Sequence, residues 1–109
     1  MQRDMDLIRQ LMIDISDENL DWDSLNPKEM YHLEMLVQKN YLTGVEVFPE
    51  YYRKLGPIRL TFDGHEFAET IRPKQTWQKI KTHLSEKGVG LTVDTIVKAA
   101  PSVIAALIK

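Results

Sequence analysis

The sequence predicts an α+β fold that is mostly α. Apolar residues recur at helical spacing in five separate segments. Two short stretches near the middle alternate as strands do, and the last segment is apolar on nearly every face. The 109 residues suffice for a single domain, 1–109, burying roughly two-thirds of the surface its unfolded chain exposes. The helices from about residue 75 onward read as an extension of that domain.

The first helix covers Arg3 to Ile15. Met5, Ile8, Met12 and Ile15 form its stripe, with Leu7 and Leu11 beside them and Arg9, Gln10 and Asp14 outside. Residues 16–24 break the pattern with Asp, Glu, Asn and Ser; Leu20 and Trp22 anchor them, and no separate short helix is expected between 16 and 26. The second helix has the clearest start. Asn26 is a good N-cap, Pro27 sits where a missing N–H costs nothing, and Glu29 completes a capping box. Leu25 and Met30 are placed to staple its entry. Its stripe is Met30, Leu33, Leu36 and Val37, and Asn40, able to turn left-handed, stops it.

A strand pair follows. Val45 and Val47 alternate with their neighbours, as do Ile58, Leu60 and Phe62 with Arg59 and Thr61 on the other face. Pro49 to Pro57, with Gly56, reads as a long hairpin tip. Thr61 then caps a helix from about Phe62 to Ile71, with Phe67, Ala68 and Ile71 inward. Gly64 within it costs about 1 kcal/mol against Ala unless close packing requires it. Pro73 ends that segment, and a helix from about Gln75 to Lys87 points Trp77, Ile80 and Leu84 inward until Gly88. Thr92 caps the final helix, which Pro101 should kink. A helix this apolar must be covered on all faces, by the rest of the domain or by a second chain.

Composition excludes several functions. No cysteine is present, which removes disulfides, thiolate metal sites and cysteine nucleophiles and leans toward the cytoplasm. Early acids make Met1 to Asp6 unlike a signal peptide. Asp94, Lys98 and Pro101 interrupt Leu91 to Ile108, so it is a poor membrane span and no membrane partner is expected. The net charge of −2 carries no whole-chain nucleic-acid signature. It is unevenly placed: residues 1–50 hold four Lys/Arg against eleven Asp/Glu, and residues 51–109 hold ten against five. Such asymmetry steers partners unless folding mixes the halves.

Helix, connector, helix, two-stranded ribbon and further helices is the order of a winged-helix domain, here with extra C-terminal helices. In that fold the helix before the ribbon can enter the DNA major groove, and the ribbon is the wing. The segments Arg3 to Arg9, Glu29 to Leu36 and Arg59 to Phe67 resemble the small proteins catalogued as domain of unknown function 2513, found largely in bacteriophages and prophages. The Trp77 helix and the Gly90-Leu91-Thr92 cap fit as well, so the resemblance covers nearly the whole chain and is strongest at residues 59–67. Tyr31-His32-Leu33 and Leu60-Thr61-x-x-Gly64 are also similar to segments of bacterial winged-helix repressors, on the recognition helix and after the wing. The resemblance implies a fold and an origin, and no activity.

No nucleophile elbow, phosphate-binding glycine loop or His-Glu zinc motif is present, so no enzyme, metal or cofactor is expected. Asp63, His65 and Glu66 lie close together but lack ligand spacing, and His65 is expected to pack at the helix junction, bonded to backbone near Gly64. Two functions stay open. As a DNA-binding regulator the chain would contact duplex DNA through Lys28, Tyr31, His32 and Gln38 on the second helix, where Glu34 opposes phosphate. Arg53, Lys54 and Arg59 on the wing, beside Tyr51 and Tyr52, would join them. As a protein-interaction or phage accessory module it would use the last helix, pairing with a partner or with itself through Ile96, Val103, Ile104, Leu107 and Ile108.

Overall fold

The structure is a computed structural model that describes residues 2–108. Among them are five α-helices and one open, two-stranded antiparallel sheet. The order is α1 (Met5–Ser16), a 3₁₀ turn (Trp22–Ser24), α2 (Pro27–Gln38), β1 (Leu42–Val47), β2 (Tyr52–Leu60), α3 (Phe62–Ile71), α4 (Lys74–Glu86) and α5 (Val93–Ile108). These elements gather into two compact units, Met1–Ala68 and Glu69–Lys109, divided inside α3.

In the first unit α1 packs on α2 and β2, and α2 packs on β1. Met5, Ile8, Leu11, Met12 and Ile15 of α1 are buried, as are Met30, Leu33 and Leu36 of α2. Val37, at the margin of its stripe, is only half-buried. The capping box at Asn26 forms in both directions: its side chain accepts from the Glu29 N–H at 2.8 Å, and the Glu29 carboxylate accepts from the Asn26 N–H at 3.0 Å. Asn40 takes φ +64 after α2, the Tyr41 N–H donates to the Leu36 carbonyl, and the Asn40 N–H donates to that of Val37. That pair of bonds is a Schellman closure. The same closure ends α1 at Glu18 (φ +59) and α4 at Gly88 (φ +67). The 3₁₀ turn corrects the expectation of no short helix between residues 16 and 26: Asp21 caps it by accepting from the Asp23 N–H, and Trp22 lays its ring against Tyr52, centroids 5.4 Å apart.

The ribbon differs most from expectation. Its tip is short, with the Phe48 N–H donating to the Tyr51 carbonyl and the two rings stacked at 4.6 Å. Strand pairing begins at Val47–Tyr52 and runs through Val45–Lys54. It resumes at Thr43–Arg59 and Leu42–Leu60, so residues 55–58 stand opposite Gly44 alone. Gly56 and Pro57 therefore mark a bulge within β2 and not the tip. Gly44 makes it possible: φ is +85, and a Cβ there would lie 2.0 Å from the Pro57 carbonyl oxygen. Phe62 opens α3 and is exposed, which removes it from the strand alternation. The Thr61 hydroxyl accepts from the Gly64 N–H at 3.1 Å and donates to the Asn40 carbonyl at 2.7 Å. Gly64 has the close packing that its place in a helix demands, since a Cβ would meet the Tyr41 carbonyl oxygen at 2.2 Å. Phe67 stacks on Tyr41, centroids 5.2 Å apart.

In the second unit α4 packs on α5. Trp77, Ile80 and Leu84 are buried on α4, and Ile96, Ala99, Ala100 and Val103 on α5. Thr92 caps α5 by accepting from the Thr95 N–H at 3.1 Å, while the Thr95 hydroxyl accepts from the Thr92 N–H at 2.9 Å. α5 is one helix through Pro101. The rest of the chain leaves its outer face uncovered, with Val97 and Ile108 exposed. No helix among the described residues is long and apolar enough to cross a membrane.

Candidate functional site

The structure separates the four α2 residues that the sequence groups as a DNA-reading face. His32 is fully buried, which corrects its expected outward placement. Its Nε2 lies 2.8 Å from the Asp4 backbone nitrogen, and its Nδ1 lies 2.7 Å from the Lys28 carbonyl oxygen. A backbone N–H only donates, so Nε2 accepts and the ring proton sits on Nδ1, donated to Lys28. Asp4 completes the cluster: its carboxylate caps α1 by accepting from the Leu7 N–H at 3.1 Å and takes the Lys28 ammonium at 2.9 Å. The Lys28 bond and then the Leu7 N–H hold the Asp4 carboxyl below its ordinary value. Tyr31 is half-buried and meets the His32 ring edge-on at 5.1 Å. Gln38 is exposed, with its amide 3.3 Å from the Glu34 carboxylate.

The ribbon cations divide. Arg53 is held by Glu46, its directly opposed partner, through Nε–Oε1 at 2.8 Å and a second bond from Nη2. Lys54, opposite Val45, and Arg59, opposite Thr43, are exposed and make no ion pair among the described residues. Tyr52 is half-buried against Trp22, whereas Tyr51 stays 59% exposed despite its stacking on Phe48. The ribbon therefore presents two free cations and one open aromatic face.

On α5, Ile96 and Val103 belong to the core, which corrects their assignment to an interface. Leu107 lines a cleft of about 440 Å³ between α4 and α5, walled also by His83, Glu86 and Ala106. Ile104 is half-buried and Ile108 exposed. His65 is exposed on α3 and not packed at the junction, because Thr61 already supplies the bond to the Gly64 N–H.

A family model described as "Hypothetical protein (DUF2513)" matches residues 2–90. The chain belongs to that family. It is a phage- and prophage-associated family, and its description carries no activity. A relative from Haemophilus influenzae, described as "Uncharacterized protein", is 25% identical over 117 residues, covering 99% of each chain. No solved structure shows a significant match. The matched residues contain the Asp4–Lys28–His32 cluster and the whole ribbon.

Sequence reasoning placed α4 and its inward stripe but overlooked its exposed polar face. Lys74, Gln75, Gln78 and Lys79 are all exposed there. Their signal was present in the sequence: no acidic residue stands between Glu69 and Glu86, while four Lys/Arg do.

Proposed function

We propose that this DUF2513 chain is a non-catalytic, winged-helix DNA-binding protein whose ribbon acts as the wing and contacts the phosphate backbone. The observation that carries the reading is the pair Lys54 and Arg59, exposed and unneutralised on β2, the strand that leads from the tip bearing the open ring of Tyr51. The helix–turn–helix–ribbon order supports the fold assignment, with the 3₁₀ turn between α1 and α2. α2 has a supporting role, because His32 is committed to two backbone groups and Lys28 to Asp4. That commitment also denies the buried imidazole a part in proton transfer. Residues 1–68 hold seven Lys/Arg against thirteen Asp/Glu, and five of the acids fall between residues 14 and 23. Repulsion from that stretch leaves the ribbon as the approach open to a polyanion.

Fluorescence anisotropy of the whole chain on labelled duplexes, including DNA upstream of its own gene, tests the reading at low and physiological salt. Binding should weaken steeply with salt. Lys54→Ala with Arg59→Ala should lower affinity and flatten the log–log salt slope by about 0.9 for each phosphate that is no longer neutralised. Absence of binding at low salt sinks the proposal.

A second reading is self-association through α5. Val97, Pro101, Ile104 and Ile108 recur at steps of four and three on its outer face, with Val97 49% and Ile108 78% exposed. Sedimentation velocity across the micromolar range tests it. A concentration-dependent dimer abolished by Ile104→Asp with Ile108→Asp supports it, and a monomer throughout removes it.

A further inference from the structure

We infer that α4 carries a second nucleic-acid contact, a face made to lie in the major groove of duplex DNA; this rests on the DNA-binding reading and gives it a groove-reading element. At about 100° per residue, the exposed residues of α4 occupy a single arc of about 140°. Gln78, Thr82 and Gln75 lie in the middle of the arc, and Lys74 and Lys79 lie on its opposite rims. The chemistry sorts with position. Gln presents a donor and an acceptor together, the pattern that matches the N6 and N7 edge of adenine, and Thr pairs with several base edges. Lysines on both rims of such a helix stand where the two phosphate backbones flank the groove. From Lys74 to Thr82 the helix rises about 12 Å, comparable with the width of the major groove.

Charge and capping point the same way. Residues 70–85 hold Arg72, Lys74, Lys79 and Lys81 and no acid, so this is the most cationic stretch of the chain. Lys74 and Lys79 make no ion pair among the described residues. Lys81 lies over the Trp77 ring at 5.7 Å, on the flank of the face and not in it. Pro73 supplies no side-chain cap, so the first turn keeps its N–H groups for an anion. Glu86 is exposed at the far end of the same arc and confines the binding face to the first two and a half turns. The face thus has the three parts that groove recognition by a helix needs: amides in the centre, cations at the edges and no acid between them.

The test is anisotropy of the full chain on a panel of labelled duplexes. Lys74→Glu with Lys79→Glu should reduce affinity at least tenfold and flatten the salt slope by about 0.9 for each phosphate left without its lysine. Gln75→Ala with Gln78→Ala should level the affinities across the panel and leave the salt slope unchanged. All four positions are exposed, so thermal melting should match wild type and exclude misfolding as the cause. If the α4 variants bind as wild type while Lys54→Ala with Arg59→Ala abolishes binding, the α4 proposal fails and the wing stands. The converse pattern upholds α4 and removes the wing. Tighter binding to single-stranded nucleic acid than to duplex, or displacement of the duplex by polyglutamate at equal charge, also overturns a groove-reading face.

Discussion

At the residue scale, three small groups hold disproportionate weight. Asp4 caps α1, pairs with Lys28 and gives its N–H to His32, joining two segments 28 residues apart. His32→Ala leaves that N–H without its partner and opens a void, which should cost about 1–3 kcal/mol in denaturant unfolding. Asp4 also sets a pH dependence. Its carboxyl is held below the ordinary value of 3.8, so its stabilising contribution is complete above that value and is lost as pH falls through the folded-state value. As pH falls from about 5 to about 2, the melting temperature of the wild type should drop further than that of Asp4→Asn; equal drops would refute the coupling. Glu18 closes α1 in the left-handed region where a side chain is strained. Glu18→Gly should raise stability by about 1 kcal/mol, and a neutral or negative result by chemical denaturation would contradict that account.

At the element scale, the ribbon depends on a backbone approach that only glycine permits. With its Cβ position 2.0 Å from the Pro57 carbonyl oxygen and φ at +85, Gly44 cannot be replaced without opening the bulge. Gly44→Ala should strip hydrogen-exchange protection from residues 42–60 while leaving that of α4 and α5 intact; uniform loss would show that the ribbon is not a separable element. Helix limits were legible because their signals are local. Asn26 with Glu29, Thr61 with Gly64, Thr92 before α5, and the stops at Asn40 and Gly88 each act within a few residues. The strand pair was legible and its bulge was not, because the partner that makes Gly56 and Pro57 a bulge stands at Gly44, on the other strand.

At the scale of the whole molecule, the uneven charge read along the chain follows the division into two units. Residues 69–109 hold seven Lys/Arg against three Asp/Glu, the reverse of the balance in residues 1–68. One tryptophan falls in each unit, Trp22 in the first and Trp77 in the second. A unit of 41 residues lies at the size near which domains rarely fold without a staple. Single-tryptophan variants, Trp22→Phe and Trp77→Phe, should therefore report one shared urea midpoint. Two separate midpoints would show that residues 69–109 fold independently.

Local sequence was enough to set the helices, the N-caps of α2, α3 and α5, the stops of α2 and α4, the inward stripes of α1, α2 and α4, and the family to which the chain belongs. All of these are properties carried by spacings of three or four residues or by contiguous motifs. Which polar side chains remain available was settled only on folding. His32, Lys28 and Arg53 have the composition of a DNA-reading set, yet one is buried and two are neutralised by partners seven to twenty-four residues away. Lys54, Arg59, Lys74 and Lys79 have the same composition and stay open. Availability is a matter of what the folded chain brings within hydrogen-bonding distance, and no local pattern encodes it.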